Sequence, residues 1–397
     1  MPNLLRFALI LLTLAAPALA EPRAPVTILI SIDGARPDYL DRGLTPVLSA
    51  LAADGVRAPM RPSFPTKTYP NHYVLVTGLV PDHNGIVANK MRDAARPDFL
   101  FTMQDSADEF WWDQAEPVWA AAERAGIPTA SVFWPGANAG YQGVHPRDWW
   151  LFSDGNSERQ RVDAALDWLR RPDPAERPRF ILLYFDKVDH EGHKHGVDSP
   201  ELAQALRNTD AAIGRLTAGL GALGQPANLV VVSDHGMAMT PRDHVVMMDA
   251  LADPADWVAT DDGPYIGVDP KPGREAALAA ALRRPHDHVR CWPRGEIPAR
   301  LRYGGNPRVP AWVCLADVGW LIWTKVPKAP DVASHGYDNQ APEMRAIFVA
   351  NGPAFRAGRT LPLFDNVDIE PLLRDLIGLP PHAVDGSDAP FRGVLRR

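Results

Sequence analysis

Cysteine is scarce: the 397 residues contain two, Cys291 and Cys314. That is too few for a disulfide framework or a thiolate cluster, and enough for one bridge. Basic residues do not dominate either. With 41 Lys and Arg against 48 Asp and Glu, the formal net charge is −7, so there is no chain-wide positive field to hold duplex nucleic acid by its phosphates. Beyond the first twenty residues no apolar run approaches the ~20 residues that a membrane-spanning helix needs. No G-x-G-x-x-G follows a strand-like segment, which removes dinucleotide binding of the Rossmann kind. Neither a 20–50 residue repeat nor a low-complexity tract follows the first twenty residues. A hydrophobic share of 46% with 22% charged residues excludes a fibrous or largely disordered chain.

Proline, by contrast, is abundant. The 40 prolines are about twice the usual ~5% share, so much of the chain is expected to be ordered loop, where sites are often built. At the N-terminus Arg6 precedes an apolar run over 7–16, a break at Pro17 and the small-x-small triplet Ala18-Leu19-Ala20. This reads as an export signal over 1–20, cleaved near Ala20, because ~10 apolar residues fall short of a bilayer span. The mature protein is then expected in a periplasm or outside the cell, with no stable membrane insertion. An oxidising compartment makes a Cys291–Cys314 disulfide the expected state of the two cysteines.

Short, continuous apolar runs rich in Val and Ile at 26–32, 180–185, 229–232 and 346–350 have the pattern of parallel strands covered on both faces. Helical patterns fall between them, at 45–53, 117–125, 158–170, 200–223, 275–284 and 367–377, with Gly126 and Gly224 as helix stops. The fold class expected is α/β, with a largely parallel central sheet flanked by helices. From about 240 to 330 proline, tryptophan and hairpin-like segments break this rhythm, so an inserted smaller lobe is expected there.

Three strands lead into loops rich in acidic residues or histidine: Ile32-Asp33-Gly34, the stretch from Asp186 to His195, and Ser233-Asp234-His235-Gly236. In an open α/β sheet ligands bind beyond the carboxyl ends of the strands, so these loops converge on one crevice. A fourth, Ser334-His335-Gly336-Tyr337-Asp338, precedes the run at 346–350. Carboxylates and imidazoles without thiolates suit zinc or a similar divalent ion. Asp234-His235 is the strongest pair, because packing alone does not explain two such groups directly after buried apolar residues. In the second loop Asp186, Asp189, His190, Glu191, His193 and His195 are all chemically able to ligate, and spacing does not choose among them. Thr68 lies at or near a helix start, since Tyr69 precedes Pro70, and its hydroxyl therefore meets a positive helix end.

Taken together, Ile32-Asp33-Gly34, Phe64-Pro65-Thr66-Lys67-Thr68-Tyr69-Pro70-Asn71-His72-Tyr73, Thr77-Gly78-Leu79, His83-Asn84-Gly85-Ile86, Asn89, the 189–193 stretch, Ser233-Asp234-His235-Gly236-Met237 and His335-Gly336-Tyr337-Asp338 closely resemble the nucleotide pyrophosphatase/phosphodiesterase family of the alkaline phosphatase superfamily. The resemblance implies an alkaline phosphatase-like core that binds two zinc ions. One would be held by Asp33, Asp234 and His235 with the nucleophile Thr68, the other by Asp189, His193 and His335. It further implies that Asn89 and the Thr68 backbone N–H bind the phosphoryl oxygen, that Tyr69 and Tyr184 flank the nucleobase, and that the insertion forms a substrate-facing cap. The expected partner is a small nucleotide or phosphodiester. A departure stands in the 142–150 stretch, where Arg147-Asp148-Trp149-Trp150 occupies the place of a second aromatic wall. Sulfatase chemistry is excluded because Thr68-Tyr69-Pro70-Asn71-His72 lacks the C/S-x-P-x-R setting; choline-phosphodiester and phosphonoacetate hydrolysis are the alternatives.

Overall fold

The structure is a computed structural model and describes residues 23–396; the expected export signal over 1–20 lies outside them. The central sheet is built from Val26–Ile32 (β1), Val56–Arg61 (β2), Thr129–Val132 (β3), Asp148–Trp150 (β4), Phe180–Phe185 (β5), Ala227–Val232 (β6), Ala346–Asn351 (β7), Arg359–Thr360 (β8) and Phe364–Asp365 (β9). Its order is β8-β2-β7-β6-β1-β5-β3-β4, with β9 also pairing β2. β7 alone among these strands pairs antiparallel, with β2 and β6, so the sheet is largely parallel. That corrects the expectation of a parallel strand at 346–350. A continuous apolar run reports that both faces are covered and carries no information on direction.

Each central strand divides its side chains between two cores, as the period of two requires. Leu29, Leu182 and Val230, aligned in neighbouring strands, enter one core with Tyr73 and Leu372. Ile28, Ile181 and Leu229 enter the other with Val162 and Leu206. Truncating such a residue, as in Leu29→Ala, is expected to cost about 2–5 kcal/mol through the cavity left behind. The helices Pro46–Ala53, Glu158–Arg170 and Pro200–Ala222 cover the second core, while Thr68–Thr77, Val118–Arg124 and Ile369–Ile377 cover the first. Gly126 and Gly224 take left-handed φ at helix ends, the conformation a glycine stop supplies.

Between 240 and 330 the chain forms a four-stranded antiparallel sheet in the order Trp257–Ala259, Tyr265–Pro270, Trp312–Ala316, Val289–Pro293, with the helix Glu275–Leu282 beside it. Ile266, Val268, Leu278, Val289 and Ile322 form a local core, whereas Tyr265, Val313 and Leu315 pack into the main one. Cys291 faces Cys314 across two of these strands and is disulfide-bonded to it, with Cα atoms 4.0 Å apart. Among the described residues no helix is long and apolar enough to cross a membrane.

Candidate functional site

Asp33 and Asp234 sit at the same level beyond two hydrogen-bonded neighbours. Ser31 of β1 is in register with Val232 of β6, and each aspartate lies two residues further on. The Gly34 N–H donates to Asp234 Oδ1 at 3.3 Å. Glycine is required at 34, where φ is +69° and a Cβ would press on the Asp189 backbone at 3.1 Å. At Gly236 a Cβ would meet the Glu343 carbonyl oxygen at 2.1 Å, so only glycine lets the Asp234-His235 turn pass under the segment leading into β7.

Asp189 and His193 lie on a helix, Lys187–His195, where the sequence suggested a loop. The helix separates the candidates that spacing left together. Residues four apart share a face, and Asp189 Oδ1 lies 3.5 Å from His193 Nε2 and 3.7 Å from His335 Nε2. Asp186 turns away to ion-pair with Arg161, and His195 approaches Glu191 and Glu201. His335 arrives because β7 runs backwards: its leading segment reaches the edge where the parallel strands end.

Thr68 is the first residue of the helix Thr68–Thr77, and Lys67 before it is extended. The threonine does not serve as a capping side chain. Its Oγ1 is 3.3 Å from His235 Nε2. Donor atoms of Asp33, Asp234 and His235 form one group within 4.8 Å of one another, and those of Asp189, His235 and His335 form a second. His235 thus stands between the two halves, with His193 flanking the second.

The chemistry of these donors fits metal ions. Asp33 Oδ1, Asp189 Oδ1 and Asp234 Oδ2 are buried and have no hydrogen-bond partner, which is costly for carboxylates unless a cation compensates. His193, His235 and His335 each direct Nδ1 at a backbone carbonyl, of Ala333, Gly236 and Thr66, at 2.9, 2.9 and 2.8 Å. That arrangement places the proton on Nδ1 and leaves the Nε2 lone pair for a ligand, the usual orientation of metal-binding histidine. Asp234 Oδ2 and His235 Nε2, 2.9 Å apart, are then two lone pairs in need of a positive charge between them. His72 is different. Its Nδ1 meets the Thr68 carbonyl and its Nε2 the Ser31 hydroxyl, both at 2.8 Å, so it braces the helix that begins at Thr68 without a nitrogen to spare.

Without a cation the electrostatics are strained in the sense a metal would relieve. Burial, then the charges of Asp234 and Asp189, push Asp33 well above the usual carboxylate range, and burial raises Asp189. Burial also opposes charge on Asp234, yet without a metal a proton shared with His235, with His72 beside it, holds Asp234 below its ordinary value and raises His235, the compensation that a cation between the two would otherwise supply. Burial, with His235 and His193 beside it, drives His335 well below the usual imidazole range.

A cleft of about 470 Å³ opens over Asp33, Thr68 and Asp189. Tyr69 and Tyr184 both line it. The Tyr184 hydroxyl also donates to Asp33 Oδ2 at 2.5 Å, so this ring both walls the cleft and orients a candidate ligand. The sequence reading missed Phe152, which lines the cleft with Trp150 and Phe133 and lies 6.4 Å from Tyr184. The apparent departure at 147–150 resolves here: Asp148 pairs with Arg171, Arg147 donates to the Ala175 carbonyl, and the aromatic side chains of Trp150 and Phe152 reach the cleft. Asn89 accepts from the Tyr69 N–H at 2.9 Å. Lys67, whose direction sequence left open, binds Asp261 at 2.7 Å.

A largely parallel α/β sheet whose strand ends carry a carboxylate–imidazole cluster around a threonine hydroxyl defines the class of a hydrolase acting on phosphoryl esters. The chain matches the Type I phosphodiesterase / nucleotide pyrophosphatase family over residues 27–338, and it belongs to that family. An uncharacterized pyrophosphatase/phosphodiesterase of Schizosaccharomyces pombe is 35% identical, over 93% of this chain and 79% of the relative. The bis(5'-adenosyl)-triphosphatase of Xenopus laevis is 33% identical, over 89% of this chain and 78% of the relative. Among solved structures, murine ectonucleotide pyrophosphatase/phosphodiesterase 5, an inactive threonine-to-alanine variant in complex with AMP, superposes with a TM-score of 0.89 at 32% identity, covering 94% of this chain and all of that one. The protein is a phosphodiester hydrolase.

Proposed function

We propose that this hydrolase cleaves phosphodiester and pyrophosphate bonds of nucleotides to release nucleoside 5′-monophosphates, through a covalent phosphothreonine on Thr68 and with two zinc ions bound. The observation that carries this reading is the pair of donor groups, Asp33, Asp234 and His235 and then Asp189, His235 and His335, in which three carboxylate oxygens are buried without a partner and the shared His235 Nε2 lies 3.3 Å from the Thr68 hydroxyl. Asp33, Asp234, His235 and Thr68 would hold one ion, and Asp189, His193 and His335 the other. When bound, the pair supplies the positive charge that activates the hydroxyl and stabilises the attacking and leaving oxygens of an in-line displacement.

Thr68 Oγ attacks phosphorus; the new O–P bond forms as the bond to the leaving oxygen breaks, the leaving group departs into the cleft with that electron pair, and the hydroxyl proton passes to solvent. Water then attacks the phosphothreonine from the vacated side, regenerating Thr68 and freeing a monoester. As the first helical residue Thr68 has no intrahelical acceptor for its N–H, which is available to a non-bridging oxygen. Asn89, its carbonyl oxygen engaged by Tyr69 N–H, offers its amide protons to the same oxygen. Tyr69 and Tyr184, joined by Phe152, provide faces for a nucleobase, and stacking of this kind is worth ~1–3 kcal/mol per base and tolerates any base. The AMP bound by the solved relative supports a nucleotide. Lys67, held by Asp261, is no free clamp for a dianion, which supports diesters over monoesters. The 240–330 lobe is read as a cap over this face, and the Cys291–Cys314 bridge supports a periplasmic or secreted enzyme.

The deciding experiment compares kcat/KM for an aryl ester of a nucleoside 5′-monophosphate, an aryl phosphate and an aryl phosphocholine, in the wild type and in Tyr184→Ala. The nucleotide ester is expected to be preferred and to lose most in the variant. A preference for the monoester or the choline ester, or an equal loss on all three, overturns the nucleotide assignment.

A further inference from the structure

We propose that Arg161, a wholly buried residue behind the cleft, positions the aromatic walls of that cleft and is thereby a determinant of nucleobase affinity; the inference rests on the nucleotide reading above. Arg161 lies near the start of the helix Glu158–Arg170, and its side chain is 0% exposed. Its guanidinium meets three other pieces of chain. Nη1 donates to the Tyr184 carbonyl at 2.9 Å, and Nε donates to the Asn156 carbonyl at 3.1 Å. Nη1 also lies 2.6 Å from Asp186 Oδ1. The guanidinium carbon stands 4.7 Å from the centre of the Phe133 ring and 5.8 Å from that of Phe152. Of these partners Tyr184, Phe133 and Phe152 line the cleft over Thr68.

These contacts fix what the chain does not fix locally. Phe133 follows β3 with φ +67°, a left-handed conformation that a bulky residue keeps only where its surroundings over-determine it. Phe152 is 51% exposed and sits on the segment 151–157, which has neither helix nor strand. Its ring rests on Phe133 at 5.3 Å and approaches Tyr184 at 6.4 Å. An exposed ring on an irregular segment keeps one direction only if the segment is tied down, and the Asn156 carbonyl is where Arg161 ties it. Stability alone does not account for the arrangement. A buried ion pair is often no more stabilising than apolar packing of the same volume, and among the described residues Nη2 has no hydrogen-bond partner. What a guanidinium supplies, and an apolar side chain does not, is a planar fork that grips two carbonyls while its face lies against rings. The two carbonyls belong to the segments of Tyr184 and Phe152, the faces that with Tyr69 are offered to a base.

The test compares Arg161→Lys with the wild type on two diester monoanions, the aryl ester of a nucleoside 5′-monophosphate and a methyl aryl phosphate, which carries no base. Lysine keeps a positive charge beside Asp186 and loses both the fork and the flat face. For the nucleotide ester kcat/KM is expected to fall about 5–30-fold through KM, part of the stacking energy of one base, while the methyl ester changes by less than about 2-fold. Inhibition by AMP should weaken by the same factor as the nucleotide ester, with metal content unaltered. In a Phe152→Ala background the same substitution should weaken AMP by a smaller factor, since one wall that it holds is already gone. Equal losses on both diesters would make Arg161 a support of the helix that carries Asp189, and full additivity with Phe152→Ala would place its action elsewhere. Either result overturns the proposal, as does an unchanged KM for the nucleotide ester. Should Arg161→Lys melt well below the wild type, Arg161→Gln, which buries no charge and also lacks the fork, carries the same comparison at a temperature where it is folded. A wild type that cuts both diesters with equal kcat/KM would refute the nucleotide reading itself, which an unchanged Arg161 variant alone would not.

Discussion

The two halves of the candidate metal site are built differently. Asp33, Asp234 and His235 stand directly on the ends of adjacent strands, and their side chains are 3%, 0% and 0% exposed. Asp189 and His193 come from a helix and His335 from a returning loop, and their side chains are 17%, 21% and 9% exposed. The first half is thus fixed by the sheet ladder itself, while the second depends on how a helix and a distant segment pack. Strand-borne ligands in a dry setting bind more rigidly and exchange less readily than ligands on elements that open locally.

The largest expected effect lies where the halves meet. Thr68→Ala should lower turnover by at least ~10³-fold while the metal content stays near two ions per chain, and Thr68→Ser should keep part of the activity. Retained turnover in the alanine variant would make water the first nucleophile.

Next comes the comparison of halves. Asp234→Asn is expected to cost on the order of 10³-fold and one bound ion, whereas His193→Asn should cost about 10–100-fold and recover with added zinc. Elemental analysis and zinc titration read both. Equal losses, or rescue of the Asp234 variant instead, would show that the strand-borne half is not the tighter one. Timed chelation gives an independent measure: two ions leaving at separate rates, with activity following the faster, is the expected course, and a single phase would erase the distinction.

Tyr184→Phe is smaller. It deletes the hydroxyl that donates to Asp33 and keeps the ring, so about 10-fold loss shared by all substrates is expected. A loss confined to nucleotide substrates would move the role of Tyr184 from orienting Asp33 to binding the base.

The smallest effect is expected at Glu370, outside both halves. Burial pushes its carboxyl up to about 7, against the pull of Arg374. The folded chain therefore holds this proton more tightly than the unfolded one. The group is neutral in both states below about pH 4.5 and destabilises the fold increasingly as pH rises toward 7. Glu370→Gln should flatten the fall of Tm between about pH 4.5 and 7 and leave activity ratios untouched; an unchanged Tm profile would place that titration elsewhere.

The strands carrying the first half were legible because their cause is local: a buried apolar run ending in Asp-Gly or Asp-His leaves few alternatives. The helices at 158–170 and 200–223 were legible for the same reason, as periodic stretches with caps. Lys187–His195 was not read as a helix, since its charged residues carry almost no apolar stripe, and its conformation comes from packing against the helix Pro200–Ala222.

By itself, then, the sequence determined the α/β class, the chemical types gathered at the strand ends and the pairing of its two cysteines. Tertiary structure alone decided that 187–195 is a helix, that β7 runs antiparallel and so brings the segment of His335 to the parallel strands' carboxyl edge, that Phe152 lines the cleft, and that Lys67 is bound to Asp261. The physical reason is range. Burial patterns and turns are set by neighbours in the chain, whereas the direction of a charged side chain is set by the partner that compensates it, here 194 residues away.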